Sequence, residues 1–346
     1  LEMSMESHLV CQVFDPSHPG EVRREAMAFA SRVGFAAADA GRVALVVTEM
    51  ATNIVKHAGK GQILLRAMHE IPGSIGVEVL ALDQGSGMSD VSRCMQDGYS
   101  TAGSPGTGLG AISRLATLMD IYSMPEKGTA LLARVLPLGM KQNPTDSPFS
   151  IGAVRVACPG ETACGDDWSV KLGQERAAVI VADGLGHGPE AAKAAAAAVR
   201  IFDAAHQMAL PDLFQRLHGG LQATRGAAIS IAELDLVAGE VRFAGVGNVA
   251  GFLAWPGGSR NMVTHNGTIG AQFNRANVLQ YGWTKGASLV LYTDGLNSHT
   301  SIDAYPGLLA RHPSLVAGVL YRDFVRGRDD ATVVVITERR EATRER

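Results

Sequence analysis

The sequence has 346 residues, 46% of them hydrophobic and 19% charged, with a net charge of -3 at pH 7. One hydrophobic core rarely grows past about 250–300 residues, so two domains are expected, and the apolar content excludes a disordered chain. The 31 basic and 34 acidic residues are spread along the sequence without the basic excess a nucleic-acid groove requires, and no apolar run has membrane-spanning length, so neither nucleic acid nor membrane is an expected partner.

The opening LEMSMESHLV has no charged stretch followed by an apolar one, and Leu1 and Glu2 ahead of Met3 read as a cloning remnant. Cys11, Cys94, Cys158 and Cys164 are scattered and form no CxxC pair, which argues against a zinc knuckle or a disulfide framework and fits a reducing cytoplasm.

In chain order, the first strong pattern lies at 40–57, where Val43, Val46, Val47, Met50, Ile54 and Val55 recur at helical spacing. Glu49 and Asn53 are one turn apart and share a face beside that apolar stripe, where two polar groups can hold a cation with a water or hydroxyl. A lone ExxxN is also what a solvated helix face looks like. Next, IGVEVLALDQGSGM reads as a strand that ends at Asp83 and turns through Gly85 and Gly87. A carboxylate there can accept from an exocyclic amine, and the glycines let backbone approach a flat ring. Then Gly106, Gly108 and Gly110 precede an apolar-periodic helix, whose first N–H groups favour phosphate. Either glycine cluster alone is equally a plain loop. A KGT turn and a strand over 127–135 follow, with the apolar face of the 40–57 helix expected against a mixed sheet.

This order resembles the GHKL type of ATP-binding fold, an α/β sandwich, and QDGYSTAGSPGTGLGAISRL is most similar to the RsbT branch of bacterial switch kinases, over about 40–136. The resemblance implies ATP and Mg²⁺ as cofactors, with Asn53 on Mg²⁺ and Asp83 reading the adenine amine beside Gly85 and Gly87. It further implies phosphates wrapped by Gly106, Thr107, Gly108, Leu109 and Gly110, and Thr129 supporting the base pocket. Glu49 becomes the base that polarises the attacking hydroxyl of a protein substrate. Lys56 and His57 follow closely enough to touch phosphate, though cations at a helix end also suit its dipole.

The stretch GMKQNPTDSPFS over 139–150 is polar, contains Pro144 and Pro148, and reads as a linker between an ATP-binding domain at 1–138 and a second domain at 151–337, with a charged tail at 338–346. Four acidic motifs recur beyond it: CGDDW, VIVADGLGHG, LVLYTDGLNS and GRDDATVVVI. Three lie at the ends of β-prone runs, where aspartates from distant segments can converge on one edge of a sandwich and offer hard oxygen ligands to Mg²⁺ or Mn²⁺. A single DG is usually only a turn.

The set resembles the metal-dependent PPM-type serine/threonine phosphatases, in particular the SpoIIE and RsbX branch, over about 154–336. It implies an αββα sandwich with two Mn²⁺ or Mg²⁺ held by Asp166, Asp183, Asp294 and Asp329 and by the carbonyl of Gly184. Asp167 and Asp330 remain alternatives to their neighbours. His187 is a candidate acid for the leaving oxygen or a surface residue at a helix start; Arg155 and Arg176 are candidates for phosphate; GVGNVAGFLAW reads as a core strand without chemistry. The combined expectation is a bifunctional, partner-switching protein: a serine kinase acting on a STAS-type antagonist, joined to a phosphatase, with a downstream switch protein or sigma-factor regulator as a further partner. The alternative is a phosphatase gated by a nucleotide-binding, partner-capturing domain without kinase activity.

Overall fold

The computed structural model describes residues 7–71, 74–94, 108–140 and 147–339. The chain divides into two compact units, one spanning His8–Asn143 and the other beginning at Pro144.

The first unit is built from β1 (Leu9–Val13), α1 (His18–Arg32), α2 (Ala37–His57), β2 (Gly61–Ile71), β3 (Ser74–Asp83), α3 (Val91–Cys94), α4 (Gly108–Leu115), β4 (Leu118–Met124) and β5 (Gly128–Val135). The strands form one sheet in the order β1-β2-β3-β5-β4. Every neighbouring pair is antiparallel, which corrects the expected mixed sheet. The reason lies in the segment after α4: LMDIYSM leaves the helix and pairs with β5 as a hairpin through the tight turn at Glu126 and Gly128, so no crossover returns a strand in parallel.

The apolar stripe of α2 does what its spacing requires. Val43, Val46, Val47, Met50 and Ile54 are buried in one cluster with Ile63, Leu65, Val77, Val79 and Ala81 from the facing strands. At the head of α2, Arg42 donates to Asp39 (3.0 Å) and to the carbonyls of Leu136 (2.9 Å) and Leu115 (2.7 Å), tying the end of α4 to the same helix. On the other face of the sheet, Arg66, Glu78 and Arg134 are cross-strand neighbours, all buried. Glu78 accepts from Arg66 Nε at 2.6 Å and from Arg134 Nε at 2.7 Å. Glu78→Ala is expected to destabilise the full chain by about 3–5 kcal/mol, because two buried guanidinium groups lose the carboxylate between them. A urea midpoint equal to that of the unchanged protein would contradict this.

The second unit contains β6 (Phe149–Val156), β7 (Asp166–Leu172), β8 (Arg176–Gly184), α5 (Pro189–Ala205), α6 (Leu210–Leu221), β9 (Ala227–Asp235), β10 (Glu240–Val246), β11 (Ala250–Trp255), β12 (Gly258–Met262), β13 (Leu279–Gly282), β14 (Ser288–Tyr292), α7 (Pro313–Phe324) and β15 (Ala331–Glu338). Two five-stranded antiparallel sheets, β13-β10-β9-β8-β7 and β12-β11-β14-β15-β6, enclose a core that includes Trp168, Val179, Val181, Phe243, Leu289, Leu291 and Val334. Helices α5 and α6 pack on the first sheet through Ala195, Ala198, Phe202, Phe214 and Leu217, and α7 lies against β6 and β15 of the second. This is the αββα layering. Gly152 of β6 makes the close approach of α7 possible: a Cβ there would lie 1.9 Å from the Ser314 nitrogen.

The expected single strand GVGNVAGFLAW is two strands. β10 ends at Val246 in one sheet and β11 begins at Ala250 in the other, with Gly247 at φ +95° making the corner. An uninterrupted strand would keep both halves in one sheet, whereas the positive-φ glycine lets the chain cross between layers.

Candidate active sites

In the first unit the residues around the glycines meet at one end of α2. Glu49 and Asn53 are half-buried on one face of that helix. The start of α4 rests on them: a Cβ on Gly108 would lie 3.1 Å from Glu49 Oε2 and 3.5 Å from Asn53 Oδ1. Leu109 and Gly110 continue this first helical turn, whose N–H groups have no partner within the helix. Gly106 and Thr107 lie outside the described residues.

Asp83 closes β3, and its Oδ1 accepts the backbone N–H groups of Gly85 (2.9 Å) and Thr129 (3.1 Å). The carboxylate is thereby oriented by the loop after its own strand and by the start of β5. Gly85 sits on the end of α2, where a Cβ would lie 2.7 Å from Ala58 Cβ. Gly87, at φ +68°, leaves room for the Met124 carbonyl, 2.1 Å from where its Cβ would be. Ser123, which sequence reasoning missed, joins the pieces: its hydroxyl is 2.8 Å from Thr129 Oγ1 and accepts the Met88 N–H at 2.8 Å. Lys56 and His57 are exposed at the helix end. A flat ring against Asp83 and an anion at the α4 start are the ligands this arrangement suits.

In the second unit the acidic motifs come to one end of the sandwich. Asp166 and Asp183 are directly opposite in the β7–β8 ladder, on the face that Trp168, Val170, Val179 and Val181 turn to the core. Like charges so placed repel, an arrangement that calls for a counter-ion. Asp166 is 1% exposed, and its Oδ2 accepts the Thr293 hydroxyl at 2.7 Å. Thr293 Oγ1 itself accepts the Thr332 N–H at 2.9 Å, so its proton is committed to Asp166. Asp294 Oδ2 accepts from Asn248 Nδ2 at 2.7 Å. Asp330 Oδ1 accepts the Cys158 N–H at 2.9 Å, and among the described residues its buried Oδ2 has no hydrogen-bond partner. Asp329 is half-buried and its Oδ1 accepts the Asp330 N–H at 2.9 Å.

Burial pushes the Asp183 carboxyl well above the ordinary carboxylate range, and Asp166, Asp294, Asp329 and Asp330 add to the shift in that order. Burial raises Asp166 in the same way, against the Thr293 hydrogen bond. Asp167 belongs elsewhere. It alternates to the helix-facing side of β7, lies 3.4 Å from Arg155 Nη1 and caps the Trp168 N–H. Its strand neighbours on that side, Ser169 and Lys171, both bind Asp203 of α5.

Gly184 is needed for packing, since a Cβ would lie 2.1 Å from the Ala191 carbonyl oxygen. His187 is exposed and pairs with Glu161 at 2.7 Å. Arg155 donates to the Asp166 carbonyl, and Arg176 pairs with Asp235 on the surface. Among the described residues no three His, Cys, Asp or Glu side chains close on one point as a ligand shell. Asp166, Asp294, Asp329 and Asp330 each accept instead from a neighbouring donor. The donor set is nevertheless all hard oxygen, with one buried carboxylate oxygen left unpaired and two carboxylates facing each other, and it suits Mg²⁺ or Mn²⁺.

The comparisons with known proteins agree with this division. The family model for the histidine kinase-like ATPase domain matches residues 13–135, and that for stage II sporulation protein E, SpoIIE, matches 173–339. The serine/threonine-protein kinase RsbT of Bacillus subtilis (strain 168) is 36% identical over 104 residues, which are 30% of this chain and 77% of RsbT. The chain belongs to the RsbT kinase family through its first unit, and its second unit matches the SpoIIE family model.

A solved chain described with the bacterial stressosome, a modular system adapted to control secondary messenger signalling, is 29% identical at a TM-score of 0.50, covering 54% of this chain and 98% of that one. RsbX in complex with magnesium is 22% identical at a TM-score of 0.47, covering 54% and 94%. With the two family models, the first unit is a GHKL-like ATP-binding domain and the second a PPM-type phosphatase sandwich, and the chain is an enzyme. Domains of the first kind bind ATP and those of the second use divalent metal ions. Among the described residues no helix is long and apolar enough to cross a membrane.

Sequence reasoning also missed Asn248 and Thr293. Asn248 lies outside the acidic motifs and Thr293 lies inside LVLYTDGLNS without having been singled out; each matters because the fold brings a distant aspartate to it.

Proposed function

We propose that this chain is a bifunctional partner-switching regulator, whose first domain transfers the γ-phosphate of ATP to a serine of a STAS-type antagonist protein and whose second domain hydrolyses phosphoserine or phosphothreonine. The carrying observation is that each unit gathers polar groups at an end of its own: Glu49, Asn53 and the α4 start on one, and Asp166 opposite Asp183 on the other.

In the kinase domain Asn53 would hold Mg²⁺, Asp83 would receive the adenine amine, and Gly108, Leu109 and Gly110 would present backbone N–H groups to phosphate, with Gly106 and Thr107 preceding them. Thr129 and Ser123 keep Asp83 in place. Glu49 accepts the proton of the attacking serine hydroxyl as its oxygen bonds to phosphorus and the bond to ADP breaks. Such a reaction depends on charge neutralisation and positioning more than on covalent catalysis.

In the phosphatase domain Asp166, Asp183, Asp294, Asp329 and the Gly184 carbonyl would hold the metal ions, and the unpaired Asp330 Oδ2 would meet that shell. Asp167, paired with Arg155, is left out. The ions would lower the pKa of water and neutralise phosphate oxygens. Hydrolysis forms one bond from water oxygen to phosphorus, breaks the phosphorus–serine oxygen bond and returns a proton to that serine.

The RsbT likeness and the stressosome relative support a STAS-type partner. A downstream switch protein or sigma-factor regulator would receive the output. The test is intact-mass analysis of a STAS-domain protein incubated with ATP, Mg²⁺ and the Asp183→Asn chain, in which reversal is blocked. A gain of one phosphate is expected. No gain across several STAS proteins, with ATP binding shown separately, would favour a phosphatase gated by a nucleotide-binding capture domain.

A further inference from the structure

Beside Asp294 the chain folds back on itself. The Asn297 N–H bonds the Phe324 carbonyl at 3.0 Å, Leu296 bridges Val325, and the Arg326 N–H bonds the Gly295 carbonyl at 2.8 Å. This short ladder fixes the backbone of Arg326 against the Asp294–Gly295 turn. From the other side Gly295 is pressed on the main chain of Asp330, whose carbonyl oxygen would be 1.9 Å from a Cβ. Arg326 is therefore clamped at the rim of the carboxylate cluster, three residues before Asp329.

The guanidinium does not form the ion pair that its surroundings offer. Asp294 lies beside Arg326 in the fold and Asp329 three residues along the chain, yet Arg326 Nη1 donates to the Asp294 main-chain carbonyl at 3.1 Å, and Arg326 makes no ion pair among the described residues. The Asp294 carboxylate is taken instead by Asn248. One N–H of five is used, and the exposed group keeps its full charge and a planar fork of donors beside the acidic end. By contrast, Arg155 is committed to Asp166 and Asp167, and Arg176 to Asp235, so neither is available to an incoming anion.

We propose that Arg326 binds the phosphoryl oxygens of the phosphoprotein substrate, and the inorganic phosphate product, at the mouth of the phosphatase site. This rests on the phosphatase reading given above. A planar guanidinium suits two phosphate oxygens at once, and its anchoring on a main-chain carbonyl positions it without neutralising it.

The test uses the full chain with Mg²⁺. Inorganic phosphate is titrated by calorimetry, and hydrolysis of a phosphoserine peptide is followed in parallel. Arg326→Ala is expected to raise the phosphate Kd and the peptide KM by roughly 10- to 100-fold, as for loss of hydrogen bonds to a charged group. The Mg²⁺ concentration for half-maximal activity should stay unchanged. Arg326→Lys should recover part of the loss, and Arg328→Ala should leave phosphate affinity close to that of the unchanged chain. An unaltered phosphate Kd in Arg326→Ala would overturn the proposal. So would a shifted Mg²⁺ requirement with normal phosphate affinity, which would reduce Arg326 to a support for Asp294. Failure of the phosphatase reading looks different: the unchanged chain would itself neither hydrolyse the peptide nor bind phosphate, and the proposal would fall with it.

Discussion

Asp183→Asn is expected to abolish Mn²⁺-dependent hydrolysis of a phosphoserine peptide and, in chelator, to make the phosphatase domain more stable. Both effects come from one feature of the ladder. Asp183 faces Asp166 across β7 and β8, at a depth where burial and the surrounding aspartates already disfavour its charge. Without cations the folded domain holds these two carboxyls together only by suppressing the charge of Asp183, a cost that an asparagine of the same shape removes. A gain of about 1 kcal/mol raises the midpoint of a domain of this size by roughly 2–4 °C. With metal the order reverses, because Mn²⁺ stabilises only the protein that binds it. The kcat should fall by about 10³-fold or more, since metal neutralisation of phosphate charge is worth several kcal/mol. A variant that keeps Mn²⁺-dependent activity, or that melts below the parent in chelator, would remove Asp183 from the metal site.

If the proposed kinase activity holds, Glu49→Gln is expected to lower phosphorylation of the proposed STAS-type partner by about 10²- to 10⁴-fold, the usual contribution of a positioned general base. ATP affinity should change by no more than about twofold, because glutamine keeps the shape that packs beneath Gly108 and the proposed nucleotide contacts lie at Asn53, Asp83 and the α4 start. Fluorescent-nucleotide titration separates the two quantities. An unchanged phosphorylation rate would leave Glu49 with only a packing role under α4. A loss of ATP binding equal to the loss of rate would make it a nucleotide contact instead of a base.

Much of this was legible beforehand, for identifiable reasons. The stripe from Val43 to Ile54 has helical spacing, and its members are buried together. Glycines at 85, 87 and 128 stand where the structure has a close approach or a positive φ. What was not legible depended on partners. The direction of the strand after α4 was hidden because LMDIYSM becomes a strand only by pairing with β5. The corner at Gly247 was hidden because GVGNVAGFLAW has the apolar content of one strand, and the break shows only when its halves enter different sheets. Asn248, assigned no chemistry by sequence, reaches Asp294 because of that corner.

By itself the sequence determined which two fold families the chain combines and where each carries its polar motifs, because glycine turns and strand-end aspartates are local patterns. Adjacent Asp166 and Asp167 had to face opposite ways, since strand side chains alternate. Only the tertiary structure decided which faces inward. Trp168 and Val170 place their own side of β7 in the core, and Asp166 with it, next to a threonine hydroxyl 127 positions away. Asp330 likewise received its donor from Cys158, 172 positions distant. Such contacts follow from the packing of one sheet on another, which no neighbouring residue in the chain specifies.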